Sequence, residues 1–303
     1  ICKLLNLYLL MKNIIVVTGG AGFVGSNLIE LYLKKTNKKI ISIDNYSSGS
    51  KENHIHNKRV KYIKSNTQNI SNILSKFSSK IDVIFHFGEF ARIYQSFVKL
   101  NECINSNSIG THAVFNYALK HKIKLIYSAT SASLGNHGAD KDLSPYAFTK
   151  AKNLEMLNNL KKWFNFKFEI IYFYNVYGPR QICTGNMATV IGIFEDNYKM
   201  KLPLPIVRPG NQTRRFTHIQ DTVEVCYFAW KQNKSRHYSI ANKKSLSILQ
   251  VAKLFSTKIK YLPSRKGERY ASALTDMNLS NKVYKKYGNI NLKDYINEFI
   301  KNN

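Results

Sequence analysis

The sequence predicts an α/β fold: a doubly wound parallel sheet followed by a smaller C-terminal α/β part. Three observations carry that expectation. Short β-branched runs alternate with longer helical patterns from Met11 to about residue 176, the order that builds parallel βαβ units. A glycine-rich turn, TGGAGFVG at 18–25, stands between the first such run and the first helical pattern. After Gly178-Pro179 the texture changes to short strands set between helices. With 303 residues, 44% of them hydrophobic, the chain can fill a large core.

The elements run in order. NIIVVTG (13–19) reads as a buried strand, and VGSNLIELYLKK (24–35) carries apolar residues at helical spacing. KIISID (39–44), VKYIKS (60–65) and IDVIFHF (81–87) read as the second, third and fourth strands. One long helix is expected over about 96–121, then a fifth strand, IKLIYSAT (123–130). Ser144-Pro145 opens a helix running to about Phe164, since proline suits a first helical turn. FEIIYFYNV (168–176) is the sixth strand. Beyond it, a helix near 187–199, short strands at LPIV and RRFTHI, and helices near 219–233, 247–256 and 291–302 make the smaller part. The expected division is therefore 11–178 for the sheet domain and 179–303 mainly for a substrate-binding cap. Residues 1–10, ICKLLNLYLL, precede Met11 and form an apolar run far shorter than the ~20 residues of a membrane span. They lack a small-residue cleavage site and read as an extension from gene calling or cloning.

Composition narrows the functional classes. Four cysteines (Cys2, Cys103, Cys183, Cys226) are scattered without a CxxC or metal-ligand grouping, which reads as reduced thiols in a cytoplasmic protein with no metal. A net charge of +28 would attract nucleic acid, an anionic membrane or phosphorylated small molecules. Lys, Asn and Ile are abundant from end to end, however, as AT-rich codon bias produces, and the lysines form no dense block. Aromatics do not interleave with basic residues as they do on RNA-stacking platforms, so nucleic acid is disfavoured as a partner, and no segment reads as membrane-spanning.

Two motifs carry chemistry. In TGGAGFVG, Gly19, Gly22 and Gly25 are spaced for a tight turn, close backbone approach to a pyrophosphate, and helix N-terminal amides aimed at negative charge. Asp44 closes the second strand 25 residues after Gly19, where a carboxylate accepts hydrogen bonds from an adenosine ribose and repels the extra phosphate of NADP. The expected cofactor is NAD on a Rossmann-type sheet. In SPYAFTK (144–150), Tyr146 and Lys150 stand one helical turn apart on one face. A free tyrosine titrates near ~10, so work as a base at neutral pH needs a shift of ~3 units, and a neighbouring ammonium favours the phenolate.

From these motifs onward the chain resembles the extended short-chain dehydrogenases/reductases, in particular the NAD-dependent nucleotide-sugar epimerase/dehydratase group that includes UDP-galactose 4-epimerase. The resemblance covers about residues 12–300 and rests on TGGAGFVG, IDNYSSGS, DVIFHFGE, NSNSIGT, YSATSASLG, SPYAFTK, YNVYGPRQ, RRFTHIQD and PSRKGE in that order. It implies that Tyr146 is the catalytic acid/base, that Lys150 binds the nicotinamide ribose and lowers the tyrosine pKa, and that Thr130 hydrogen-bonds the sugar hydroxyl. On the cofactor side it implies contacts from Phe23 and Val24 in the glycine loop and from Asp44, Asn45 and Ser48 near the adenosine. It extends these to Phe87, Gly88, Ser128 and Tyr174, with Asn107 supporting the active-site helix and the cofactor. On the substrate side it implies Ser131 with Thr130, and Asn175, Arg214 and Arg265 as holders of the sugar-nucleotide diphosphate. Arginine suits that task through its planar fork. A homodimer joined through a four-helix bundle is likewise implied.

The residues after Thr130 narrow the reaction. Dehydratases of the group carry an Asp-Glu pair there, and related decarboxylases a glutamate two positions on; this chain has Ser131-Ala132. Elimination needs a positioned acid and base, so the expectation is an epimerase working through a 4-keto intermediate. The alternative is a nucleotide-sugar reductase or dehydrogenase on the same fold, and an RNA-binding relative is a lesser reading. Several positions depart from the group pattern. Leu134 replaces a tyrosine, and the stretch from Gly135 to Tyr146 is short. Tyr172 replaces an arginine, Asn66 replaces an aspartate, and Glu89 stands where a small residue is typical. An unpaired buried carboxylate is costly, so Glu89 is expected either to pair, with Arg92 a candidate, or to face substrate.

Overall fold

A computed structural model describes residues 12–133, 140–266 and 286–303 of the chain. The readings of residues 1–10, Leu134 and Gly135 lie outside the described residues. Seven parallel strands form the central sheet: β1 (Ile14–Thr18), β2 (Lys39–Asp44), β3 (Val60–Lys64), β4 (Ile81–His86), β5 (Lys124–Thr130), β6 (Phe168–Phe173) and β7 (His237–Ser239). Their order is β7-β6-β5-β4-β1-β2-β3, a doubly wound arrangement whose direction of growth reverses between β1 and β4. The strands are apolar on both faces because both are covered. One face packs Val16, Ile84, Tyr127 and Ile170 against Phe115 and Leu157. The other packs Val17, Phe85 and Ile171 against Leu28, Tyr32 and Val225.

The helices supply those covers. They are α1 (Phe23–Lys35), α2 (Ile70–Leu74), α3 (Ile93–Val98), α4 (Leu100–Ile104), α5 (Thr111–Lys120), α6 (Pro145–Phe164), α7 (Val190–Lys199), α8 (Ile219–Lys231), α9 (Ile248–Lys253) and α10 (Leu292–Lys301). The helix expected over 96–121 is not continuous. It breaks at Lys99, whose backbone leaves the helical region, and it passes through a π-helical segment at Asn105–Gly110 before α5. A π segment carries an extra residue per turn and turns side chains to new directions. Here Gly110 is also required, because a Cβ there would lie 2.3 Å from the Thr67 hydroxyl. The seventh strand was not expected, and the run read as one strand over 168–176 ends at Phe173, with Val176–Tyr177 pairing instead with Thr217–His218. The C-terminal part packs Tyr177, Phe194, Leu204, Ile206, Phe255 and Ile296 into a separate core. No helix of the described residues is long and apolar enough to cross a membrane.

Candidate active site

The carboxyl ends of β1, β2, β4 and β5 open into a cleft of about 760 Å³, at the switch point where doubly wound sheets hold ligands. Gly19 ends β1 at φ 72°, and a Cβ on it would lie 2.8 Å from the Gly88 amide nitrogen. A Cβ on Gly25, in the first turn of α1, would lie 2.1 Å from the Gly19 carbonyl oxygen. Only glycines permit this close approach of strand, turn and helix. Gly22 caps α1 with extended backbone and no side-chain hydrogen bond, so the amides at the helix start are free of a side-chain acceptor. Gly22, Phe23, Val24 and Gly25 all border the cleft. Asp44 Oδ2 accepts from the Ala21 amide (2.9 Å) and Oδ1 from the Tyr46 amide (2.8 Å). Burial pushes its carboxyl up from the ordinary range, and those two amides oppose the rise. Each oxygen keeps a lone pair for a ribose hydroxyl. Asn45, which donates to Asn66 Oδ1 at 2.9 Å, and Ser48 border the same end. The tight cradle, the uncapped helix start and the pinned carboxylate fit a dinucleotide.

Thr130, Tyr146 and Lys150 face one region of the cleft from β5 and α6. Ser144 caps α6 by accepting from the Ala147 amide (3.1 Å), and Pro145 occupies the first turn. The Tyr146 amide donates to the Ser96 hydroxyl (3.2 Å), which ties α6 to α3. Lys150 is buried and donates to the Ser128 carbonyl and to Glu89 Oε2. Glu89 therefore pairs, as one of the two expectations had it, but with Lys150. The candidate partner Arg92 instead donates to the carbonyls of Ala91 and Met187. Glu89 Oε1 accepts from Thr111 (3.0 Å), Tyr127 (3.0 Å) and Asn153 (3.3 Å). A buried carboxylate is tolerated only with this degree of satisfaction.

Beneath this pair lies His86. Strand register sets Thr18 beside His86 and His86 beside Tyr127. His86 Nδ1 meets the Thr18 hydroxyl at 2.7 Å, and Nε2 meets the Thr111 hydroxyl at 2.9 Å. Thr18 Oγ1 already accepts from the amides of Phe87 (3.2 Å) and Gly88 (3.0 Å). Its lone pairs are thus filled and its hydrogen goes to Nδ1, which makes Nε2–H the donor to Thr111. The neutral imidazole is locked, and burial lowers its pKa from 6.5 to about 4. The sequence reading missed His86, Thr18, Thr111, Tyr127 and Asn153. The signal was present at HFGE, where a histidine ends a strand and a carboxylate follows three residues later.

The other expected residues divide. Phe87, Gly88, Ser128, Ser131, Asn175, Arg214 and Arg265 border the cleft. Asn175 has φ 30° and donates to the Arg215 carbonyl at 2.9 Å. Arg214 is buried, and the exposed Arg265 guanidinium stacks 5.7 Å from the Tyr94 ring. Two residues expected at the cofactor, Tyr174 and Asn107, do not border the cleft. Tyr174 lies in the core, its hydroxyl bonded to Ser239, because alternation of the chain faces Phe173 to the cleft and turns Tyr172 and Tyr174 inward. Asn107 is also off the cleft wall. Its side chain bridges both backbone groups of Phe90 (2.6 and 3.0 Å) and reaches Thr149 (3.3 Å), so it braces α6 from the π segment. Among the described residues no group of His, Cys, Asp and Glu is placed to hold a metal.

Comparison with known proteins places this geometry. The profile of the NAD dependent epimerase/dehydratase family matches residues 15–241. An ADP-L-glycero-D-manno-heptose-6-epimerase of Brachyspira hyodysenteriae is 28% identical over 253 residues, 79% of each chain. A dTDP-D-glucose 4,6-dehydratase of Bos taurus is 30% identical over 256 residues, 79% of this chain and 71% of the relative. Among solved structures, a UDP-glucuronic acid 4-epimerase of Bacillus cereus with UDP-glucuronic acid and NAD superposes with a TM-score of 0.83 at 25% identity, covering 95% and 99% of the two chains. A UDP-glucose 4-epimerase of Thermotoga maritima gives 0.85 at 23% identity over 95% and 97%, a likeness of fold.

Proposed function

The chain belongs to the NAD dependent epimerase/dehydratase family, and on that premise we propose that it is an epimerase of a nucleotide-diphosphate sugar, acting with NAD through a transient 4-keto intermediate. The observation that carries this reading is one cleft bordered by the glycine cradle, Thr130, Tyr146 and Lys150, with Ser131-Ala132 where an eliminating enzyme needs carboxylates. Glu89, the carboxylate beside Lys150, is committed to that ammonium and three further donors and is not free for acid–base work on a substrate.

The glycine cradle and Asp44 would hold NAD, which would supply the hydride acceptor and donor. The Tyr146 phenolic oxygen removes the proton of the sugar hydroxyl as the carbon is oxidised and returns it as the carbonyl is reduced from the other face. Thr130 holds that oxygen in place. Asn175, Arg214 and Arg265 hold the diphosphate with charge-assisted bonds, while the sugar ring turns between them and Tyr146. Ile182, Val190, Pro205, Val207 and Leu262 border the far end of the cleft and give a nucleotide base an apolar wall. A homodimer belongs to the same reading, supported by the exposed side chains of Tyr94, Val98, Leu100, Ile109 and Phe148 on α3–α4, the π segment and the start of α6.

The test is incubation of the purified protein, after assay of its bound cofactor, with a panel of nucleotide sugars in ordinary and deuterated water. Interconversion of two C4 epimers without solvent label, lost by about 10²-fold or more in Tyr146→Phe, is the expected result. Solvent label beside the carbonyl would move the reaction to a neighbouring carbon. Net consumption of added reduced cofactor would replace the epimerase by a reductase.

A further inference from the structure

The strands of the central sheet are all parallel, so every connection that enters a strand does so at one edge, opposite the cleft. Those connections share a composition. KKTNKK (34–39) leads into β2, NKR (57–59) into β3, SKFSSK (75–80) into β4, KHKIK (120–124) into β5, KKWFNFK (161–167) into β6 and KQNKSR (231–236) into β7. Each is basic, and none holds an Asp or Glu. At the cleft edge, TGGAG (18–22), SNTQN (65–69) and FGEFA (87–91) leave β1, β3 and β4 without a lysine. Lysines in the last turns of α1, α5, α6 and α8 answer the negative end of each helix dipole. That reason does not reach Lys39, Lys122, Lys167 and Lys234, which lie beyond the helix ends on the way into the strands. Lys34, Lys35 and Lys38 pair with Glu30, Glu224 and Asp82. Lys39, Lys122, Lys161, Lys162, Lys167 and Lys234 are exposed and enter no ion pair among the described residues.

One apolar feature stands in this basic edge. Trp163 and Phe164, the last residues of α6, are 62% and 59% exposed, with ring centroids 6.3 Å apart. Asn165 then takes the left-handed conformation that ends the helix, and Phe166 returns to the core. About 22 Å of helix separates the pair from Phe148, in the patch assigned to the dimer. We propose that this edge docks on an anionic lipid surface, with its unpaired lysines at the headgroups and Trp163 and Phe164 set into the boundary between headgroups and acyl chains. The charges are complementary, and each lysine near an anionic leaflet adds to the attraction. Exposed Trp and Phe among lysines is the composition of interfacial anchors, and an indole suits a boundary that is apolar on one side and wet on the other. Seven strands at about 4.8 Å spacing make the edge about 29 Å wide, a face that can lie along a plane. Single-stranded nucleic acid asks for a succession of stacking rings, and this edge offers one pair. The attachment is peripheral, since no helix of the described residues is long and apolar enough to cross a membrane. It leaves the cleft, at the other edge, open to solution.

The proposal does not depend on which reaction the cleft performs. The full chain is mixed with vesicles of phosphatidylcholine, alone or with phosphatidylglycerol, and bound protein is separated by flotation. Binding is expected on the phosphatidylglycerol vesicles alone at about 0.1 M salt, and should weaken strongly at about 1 M, where the screening length falls to about 3 Å. Tryptophan emission should shift to the blue on binding in the parent and not in Trp163→Ser. Lys161→Gln/Lys162→Gln/Lys167→Gln should bind about 100-fold more weakly. Lys141→Gln/Lys243→Gln/Lys244→Gln removes the same charge before α6 and beyond β7, away from this edge, and should bind as the parent does. Equal weakening by the two triple variants would make the attraction a matter of overall charge and overturn the proposal. No binding to the anionic vesicles would overturn it as well. Tighter retention on poly(U) RNA than on vesicles, lost in the first triple variant, would give the edge to nucleic acid instead. A dimer of the parent that becomes monomer in Trp163→Ser/Phe164→Ser, read by analytical ultracentrifugation, would give the aromatic pair to a second copy of the chain.

Discussion

Acidifying the protein from pH 7 to pH 5 sets a proton against His86. In the unfolded chain the imidazole titrates at 6.5, and in the fold at about 4. Below 6.5 the unfolded chain takes up a proton that the folded chain refuses. Stability that is complete above pH 6.5 is therefore lost as the pH falls toward 4. At about 1.4 kcal/mol per pH unit the whole gap is worth about 3 kcal/mol, and about 2 kcal/mol of it is gone by pH 5. The local reason is that a protonated ring would direct an N–H at Thr18 Oγ1, whose acceptor positions are filled by the amides of Phe87 and Gly88. Urea unfolding of the parent and of His86→Gln, measured from pH 7.5 to 4.5, isolates this contribution from the carboxylates common to both. The variant loses about 1–3 kcal/mol at pH 7 through its broken hydrogen bonds, and the difference between the two proteins shrinks by about 2 kcal/mol on reaching pH 5. Parallel curves over that range would refute the locked neutral imidazole.

Other changes test separate parts of the structure. Gly25→Ala places a methyl group 2.1 Å from the Gly19 carbonyl oxygen, so the variant should purify with much less bound cofactor, and full retention would contradict the cradle. Glu169 is fully buried and accepts from the amides of Lys234 (2.8 Å), Ser235 (3.3 Å) and Arg236 (2.9 Å) and from the Tyr238 hydroxyl (3.2 Å). Glu169→Ala leaves those donors unsatisfied and should cost about 3 kcal/mol or more, read as a Tm lower by about 5 °C or more; an unchanged Tm would show that the β7 edge holds without it. Val98→Glu introduces a charge on the exposed face of α3 and should convert a dimer to monomer in analytical ultracentrifugation with helicity unchanged. A parent that sediments as a monomer would remove the dimer.

Much of this was legible in the chain because it is local. The glycine spacing, the proline at the start of α6 and the carboxylate ending β2 are each determined by neighbours within a few residues, and each stands where it was expected. What escaped was set by long-range register. β7 is three residues, His237–Ser239, and it exists because Glu169 on β6 gathers the amides just before it. The break of the 96–121 helix comes from a π segment whose geometry is fixed by Thr67 pressing on Gly110 and by Asn107 reaching Phe90. Tyr174 was assigned to the cofactor by motif alone, and a motif does not show that the pleat faces Phe173 to the cleft. Glu89 stood out as an oddity, but its partner could be named only once β4, β5 and α6 were seen side by side.

The buried row from Gly88 through Thr18, His86 and Thr111 to Glu89 has a sense of direction. Each member hands its hydrogen forward, and the row begins on backbone amides, which can give a hydrogen but never receive one. It cannot run backwards by rotating hydroxyls, because its first link is irreversible. Nor can it pass a charge inward, because a second hydrogen on His86 Nδ1 would meet a Thr18 Oγ1 whose acceptor positions are already filled. The floor of the cleft is thus sealed to protons. On the proposed reading of Tyr146 as the acid/base, its proton would then be exchanged on the open side, with the molecule in the cleft or with water at its mouth.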